Sequence, residues 1–281
     1  MLVFETKKEL QKKLMALWSE DNLGLVPTMG ALHEGHASLI RKALDENTHV
    51  IVSIFVNPTQ FNNTEDLEKY PQTLSADVAL IKSISDDILI FTPTINEVYG
   101  KLVTHNVYDF QGLDKVMEGR FRDNHFNGVG TIVELLLTLI KPTRAYFGEK
   151  DFQQLRIIQK LTKLRNIPVK IIGCPIVREP HGLAMSSRNE RLNMELRQKA
   201  GFIYETLIAA KDKFGTENAL QIKKWAIKRF KRHKDLDLEY IEIVDIETLV
   251  PAEQKTKNKK YRAFIAVYAG GVRLIDNIAL N

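Results

Sequence analysis

Cysteine is nearly absent: one residue, Cys174, occurs in 281. A lone thiol forms no internal disulfide and no cysteine-rich metal site, which excludes a stapled secreted scaffold and fits a reducing cytoplasm. Cys174 is expected in the core. Long apolar runs are absent as well. The longest, Thr131 to Ile140, is interrupted by Glu134 and falls far short of the roughly 20 residues that cross a bilayer, so no membrane span is expected. Residues Met1 to Lys8 turn acidic and basic within a few positions instead of leading into an apolar region and a small-residue cleavage site, so no secretion signal is expected. Repeats and low-complexity segments are missing too. What the chain has in quantity is core material: 44% of it is apolar. Its length suggests about two domains and excludes disorder.

Charge is unevenly shared. Residues 1 to 176 carry 20 basic and 21 acidic side chains, whereas residues 177 to 281 carry 20 and 14. The basic excess lies in the runs Lys223 to Lys234 and Lys255 to Arg262. The first follows an amphipathic helix pattern and the second a polar turn, without the interleaved aromatics that stack bases. A solvated face is expected there, with attraction for a polyanionic small molecule as the alternative.

Hydrophobic periodicity divides residues 1 to 176 into short apolar runs alternating with helical patterns. Thr6 with Glu9 reads as a capping box opening a helix to about Trp18. Strands are expected at Leu23 to Val26, Val50 to Val56, Ile88 to Phe91, Ala145 to Phe147 and Val169 to Ile172. Helices are expected at His36 to Glu46, Leu74 to Ser83, Val129 to Leu139 and Phe152 to Leu164. Strands separated by helices imply a parallel sheet with right-handed crossovers, an α/β, Rossmann-like domain over 1–176. From 177 to 281 the pattern changes to helices at Asn189 to Phe214 and Glu217 to Arg232, then strands at Leu238 to Val244, Arg262 to Tyr268 and Val272 to Ile278. Gly270-Gly271 joins the last two as a hairpin, so a smaller α+β domain is expected there.

Parallel sheets bind ligands at the carboxyl ends of their strands, which directs attention to the strand-to-helix loops. The first reads Pro27-Thr28-Met29-Gly30-Ala31-Leu32-His33-Glu34-Gly35-His36. Two histidines three apart at a helix start share a face with the positive end of the helix dipole behind them, a pattern suited to a phosphate. Gly35 between them permits close approach of a base or phosphate. A zinc site is disfavoured, because a zincin needs His-Glu-x-x-His with histidines four apart. Next, Ile54-Phe55-Val56-Asn57-Pro58-Thr59-Gln60-Phe61 ends a strand with two amides, although Asn-Pro is also a common turn opener. In Phe147-Gly148-Glu149-Lys150-Asp151-Phe152-Gln153-Gln154-Leu155, Lys150 suits phosphates as a point charge and Asp151 suits Mg²⁺ as a hard oxygen ligand; an ordinary first helical turn fits equally. Gly182-Leu183-Ala184-Met185-Ser186-Ser187-Arg188-Asn189 fits a phosphate-closing loop or a helix cap.

This ordered set resembles the pantothenate synthetase (pantoate:β-alanine ligase) family of the His-x-Gly-His nucleotidyltransferase superfamily, and the resemblance extends over essentially the whole chain. It implies an ATP-dependent condensation of pantoate with β-alanine through a pantoyl adenylate, releasing pyrophosphate and then AMP. It also implies ATP contacts at Met29, Gly30, Ala31, Leu32, His33, Glu34, Gly35 and His36, at Gly148, Glu149, Lys150 and Asp151, at the Val177 backbone, and at Met185, Ser186, Ser187 and Arg188. His33, His36, Lys150 and Arg188 would be catalytic, and Asp151 would help hold Mg²⁺. Gln60 and Gln154 would orient pantoate through neutral hydrogen bonds that leave its carboxylate nucleophilic, and Gln60 would also meet β-alanine. The residues 177–281 would close over the ATP site, and Asn62 to Pro71 would form a lid. A cytoplasmic homodimer, with neither nucleic-acid nor membrane partner, is the implied setting. Two other classes share features of the sequence. A superfamily transferase with a phosphorylated acceptor would call for cations in place of Gln60 and Gln154, and an RNA-binding module would use the basic C-terminal part.

The sequence departs from the family's pattern locally. The usual Arg-Pro-Gly-His-Phe is here Arg122-Asp123-Asn124-His125-Phe126, keeping the Arg and His without the Pro-Gly turn. His181 stands where Asp is common, and Gln72 replaces a frequent Arg after Tyr70-Pro71. Altered loop geometry is expected at these places.

Overall fold

The computed structural model describes residues 2–17, 22–252 and 254–281, and they form two compact units. The first comprises Met1–Glu149 and Gln153–Pro175, the second Lys150–Phe152 and Ile176–Asn281.

Among the described residues the first unit holds a six-stranded sheet built from β1 (Leu2–Phe4), β2 (Leu23–Thr28), β3 (His49–Ile54), β4 (Leu89–Phe91), β5 (Arg144–Gly148) and β6 (Lys170–Cys174). All pairings are parallel, in the order β1-β4-β3-β2-β5-β6. The chain winds from β2 through β3 to β4 on one side and returns to place β5 against β2 on the other. The strand order therefore reverses between β2 and β5, and a ligand crevice is expected outside their carboxyl ends. The strands read as continuous apolar runs because helices cover both faces: in β3 every residue after His49 is buried. Leu39, Ile40 and Ala43 from the helix Glu34–Glu46 pack with Val26, Val50, Val52 and Ile90 of the sheet. Cys174 is buried in the same cluster, as expected, and burial pushes its thiol up to about 11.

The elements follow the sequence pattern with local differences. The helix Phe152–Leu164 has its predicted bounds, and Thr6 caps the helix Lys7–Met15 by accepting from Glu9 N; the expected end at Trp18 lies outside the described residues. Strand β3 stops at Ile54, two residues before Val56, because Asn57 caps a 3₁₀ turn. The helix expected from Val129 already starts at His125. Strand β1 has too few residues for alternation to register, and only its pairing with β4 reveals it.

In the second unit β7 (Leu236–Asp245), β8 (Tyr261–Ala269) and β9 (Val272–Ala279) form an antiparallel sheet packed by the helices Phe202–Phe214 and Ala219–Phe230. Gly270 and Gly271, at φ +54° and +79°, make the left-handed turn between β8 and β9. The single helix expected from Asn189 to Phe214 is instead a 3₁₀ turn (Ser187–Arg191), a short helix (Met194–Lys199) and then Phe202–Phe214. Asn193 causes the break: its side chain accepts from Leu196 N at 2.8 Å, offering the backbone a cap in place of continuity. The basic run on the second helix is partly neutralised, with Lys223 on Glu242 and Arg229 on Glu205.

A thiol-specific disulfide reagent at neutral pH should leave the native protein untouched and titrate one thiol once denaturant is added, because only the thiolate attacks. Prompt reaction of the native chain would contradict the burial of Cys174. The raised thiol also gives a sign for alkaline pH: the unfolded group releases its proton near 9 and the folded one near 11, so its contribution to stability falls between those values.

Candidate active site

The loop after β2 is shaped by a backbone that few residues adopt. Gly30 and Ala31 lie at φ +80° and +48°, and a Cβ on Gly30 would sit 3.0 Å from Asp77 Oδ2. For Ala31 this conformation costs on the order of 1 kcal/mol or more and needs compensation. Asp77 supplies it. This carboxylate, 2% exposed on the helix Leu74–Ile84, accepts from Ala31 N at 3.0 Å and Leu32 N at 2.8 Å, and Thr73 Oγ1 donates to it at 3.1 Å. Nothing in the sequence distinguishes Asp77, since one acidic residue in an amphipathic helix gives no signal.

His33 is the N-cap of the helix Glu34–Glu46, and the two histidines cap it reciprocally. His33 Nδ1 accepts from Gly35 N at 3.1 Å, and His36 Nδ1 accepts from His33 N at 3.3 Å. The ring centroids are 4.1 Å apart. An Nδ1 that accepts from a backbone N–H carries no proton in the neutral ring, so Nε2 is the protonated nitrogen in both. Two N–H donors therefore sit together at the positive end of a 13-residue helix. Glu34 is exposed and hydrogen-bonds Arg41, whose guanidinium holds its carboxyl below the usual range.

Gln60 is buried, not a surface turn residue. Asn57, fully buried, donates its amide to Gln60 Oε1 at 3.1 Å and to Gly128 O at 3.1 Å, which leaves the Gln60 NH₂ to point at Met29 Sδ. Gly128 is required for this: a Cβ there would lie 2.3 Å from Thr59 O, so the helix His125–Ile140 meets the Pro58–Gln60 turn backbone to backbone. The Gln60 carbonyl accepts from Arg122 Nη2 at 3.1 Å and is 2.8 Å from His125 Nδ1. Arg122 and His125, the residues kept in the altered family segment, thus hold the Gln60 backbone. Asn124, in place of the usual Gly, takes φ +57°, a left-handed conformation that Asn tolerates better than other non-Gly residues. The turn geometry expected to suffer from the substitution is therefore available to Asn.

Gln153 and Gln154 divide sharply. Gln153 is consumed internally: its amide donates to Leu113 O and Val116 O, both at 2.8 Å, and accepts from Glu118 N at 3.1 Å. Gln154 is half-buried, and no hydrogen bond among the described residues engages its side chain. Gly148 ends β5 and Glu149 opens the 3₁₀ turn Glu149–Asp151; Glu149 belongs to the first unit, whereas Lys150 and Asp151 pack in the second, with Lys150 Nζ 3.4 Å from Asp151 Oδ1. The segment Asn62 to Pro71 contains a helix, Thr64–Glu68, and Tyr70 near its end packs edge-on against Phe61, the residue just before it. Gln72 beyond it is exposed.

In the second unit Val177 and Met185 face each other across a narrow hairpin, Met185 N donating to Val177 O at 3.0 Å. Ser186 caps the Ser187–Arg191 turn by accepting from Arg188 N, which is the cap expected for this segment. Asn189 anchors the turn through Glu179 Oε1 (2.7 Å) and Ala184 O (3.1 Å). Burial opposes the charge on Glu179, but Arg197 and Asn189 outweigh it and hold its carboxyl below the usual range. His181 Nε2 lies 3.8 Å from Glu179 Oε2, so the residue replacing the common Asp faces this carboxylate.

Asp77→Ala would leave the Ala31 and Leu32 amides without their acceptor, destabilising the protein by about 3 kcal/mol, and Asp77→Asn, with one acceptor oxygen left, by about half as much. Hydrogen exchange should accelerate at those two amides in Asp77→Ala while β3 stays protected. Unchanged protection of both would show that Asp77 does not hold the loop.

A family model described as Pantoate-beta-alanine ligase matches residues 2–279. The pantothenate synthetase of Christiangramia forsetii is 55% identical and that of Flavobacterium psychrophilum 51% identical, each alignment covering 100% of both chains. Among solved structures, the crystal structure of pantothenate synthetase from Thermus thermophilus superposes with a TM-score of 0.92 at 37% identity, covering 100% of this chain and 99% of that one. The pantoate-beta-alanine ligase of Francisella tularensis, solved in complex with beta-gamma ATP and beta-alanine, gives 0.83 at 38% identity, covering 100% and 98%. These matches extend over essentially the whole chain, and the chain belongs to the pantoate–β-alanine ligase family.

Proposed function

We propose that the chain condenses (R)-pantoate with β-alanine at the expense of ATP, forming pantothenate, AMP and pyrophosphate through a pantoyl adenylate. The observation that carries this is the reciprocal capping of His33 and His36, which fixes two neighbouring Nε2–H donors at a helix N-terminus behind a backbone held by Asp77. In the first step a pantoate carboxylate oxygen bonds to the α-phosphorus while the bond to the β-phosphate breaks. Negative charge grows on the transferring phosphoryl group and the departing pyrophosphate. Preorganised donors and cations answer that need. His33, His36, Lys150 and Arg188 take this role, with the backbone of Met29 to Gly35, Gly148, Glu149, Val177 and the Met185 to Ser187 segment binding the rest of the nucleotide. In the second step the β-alanine amine attacks the acyl carbon, the bond to AMP breaks, and the amine loses a proton.

Gln60 and Gln154 orient pantoate in this reading, and Gln60 also meets β-alanine. The Gln60 amide is suited to it, since Asn57 occupies its oxygen and leaves the NH₂ as donor. A donor without charge holds a carboxylate and leaves it nucleophilic. The phosphorylated acceptor of a related transferase would call for cations where these two neutral amides stand. Asn62 to Pro71 is proposed as the lid that keeps the adenylate from water.

Mg²⁺ is read here as arriving with ATP. Among the described residues no group of three or more His, Cys, Asp or Glu is placed to hold a metal ion. Asp151 offers one partly exposed carboxylate. That fits Mg²⁺, which keeps most of its shell as phosphate oxygens and water. The proposal includes a homodimer in the cytoplasm, as the family resemblance implies.

Two outcomes test this. Exchange of labelled pyrophosphate into ATP should require pantoate and not β-alanine; exchange that appears only with β-alanine present would remove the adenylate. Gln60→Glu keeps size while setting a negative charge against pantoate in a site where screening is poor. Pantoate affinity should fall at least tenfold, about 1.4 kcal/mol, with ATP affinity little changed. Unchanged pantoate affinity by separate titration would sink the assignment of Gln60, and an equal loss for both ligands would indicate a disturbed fold.

A further inference from the structure

Strand β9 buries two consecutive polar residues, Asp276 and Asn277, at 3% and 0% exposure. Consecutive strand residues point to opposite faces, so each must find partners on its own side. Asp276 takes the Arg178 guanidinium in a two-bonded pair at 2.6 and 3.0 Å, and its Oδ1 also accepts from Asn277 N at 2.7 Å. Arg178 stacks 3.6 Å over the Tyr204 ring and donates to Gly182 O at 3.0 Å, which fixes the hairpin running from Val177 to Met185. Asn277 Oδ1 accepts from Arg262, and its Nδ2 donates to the backbone carbonyl of Lys150 at 2.8 Å. Arg262 in turn lies 4.0 Å over the Phe152 ring, which also packs near Phe264. The three residues Lys150–Phe152 are thereby held in the second unit, although the residues on either side of them belong to the first.

We propose that Asn277 is a positioning residue for Lys150. Its amide fixes the carbonyl of the residue whose ammonium serves the phosphates, and the Asp276–Arg178 pair registers that point against the hairpin carrying Val177 and Met185. The inference rests on the reading of Lys150 as a phosphate-binding cation. A misplacement of about 1 Å at a reacting centre can cost on the order of a hundredfold in rate, so a backbone hydrogen bond behind the lysine has leverage on the chemical step.

The test is a double-mutant cycle in the intact enzyme, read by pantoate-dependent pyrophosphate exchange at saturating ATP and pantoate. Asn277→Asp preserves size and the oxygen facing Arg262 but replaces the N–H donor with an acceptor. It should slow exchange at least tenfold, leave pantoate affinity unchanged, and, in a Lys150→Ala background, slow it by less than twofold. Equal factors in both backgrounds would make Asn277 a purely structural residue and overturn the inference while the reading of Lys150 stands. Wild-type exchange by Asn277→Asp would overturn it as well. Exchange at the wild-type rate by Lys150→Ala would remove the reading of Lys150 and this inference together. Should Asn277→Asp fail to fold by thermal melting, Asn277→Ser, neutral and too short to reach the carbonyl, carries the same comparison.

Discussion

A loop that turns left-handed strands backbone N–H groups it cannot pair within itself, and the first unit depends on meeting that constraint from behind. Gly30 and Ala31 run left-handed so that the chain can turn from β2 into a helix within a few residues. Asp77 reaches in from another helix to take the two backbone N–H groups that this turn strands. The histidines then complete the helix end with one nitrogen each, and the proton is fixed on the other. Capping and donor presentation are the same act here. An alanine at either position would lose both a cap and a donor.

The amide site follows the same logic with neutral groups. Gln60 is gripped three ways: Asn57 takes its side-chain oxygen, Arg122 and His125 take its carbonyl, and Gly128 lets a helix backbone lie against the turn. The NH₂ is left to point at Met29 Sδ. Side-chain rotamer entropy that would oppose ligand binding is lost in folding instead, which is the physical content of preorganisation.

The sheet and its parallel sense are legible in the sequence from its periodic pattern, and both histidines, Gln60 and Lys150 stand out there as candidates because each lies in an informative loop. Gln153 and Gln154 show how far that reaches. Adjacent and chemically identical, they are separated in the sequence only by resemblance to a family, and the helix geometry supplies the reason: one turns into a pocket of carbonyls and the other does not. Asp77 and Asn277 are illegible for a different reason. Their importance lies in partners 45 and 127 residues away, and no local pattern encodes such a distance. The helix broken at Asn193 escapes the pattern because a single Asn weakens apolar periodicity little, while its cap bond decides the structure.

The adjacency of β2 to β5 also sets an order of events during synthesis. Strand β2 is complete at Thr28, yet one of its two neighbours starts only at Arg144, so the sheet cannot close until more than half the chain has left the ribosome. Pairings this remote in sequence are slow to form, because loop closure precedes any gain from contact. Lys150 waits longer still. The carbonyl behind it has no Asn277 to accept from until β9 has emerged and paired with β8, which makes the lysine one of the last parts of the molecule to be set in place.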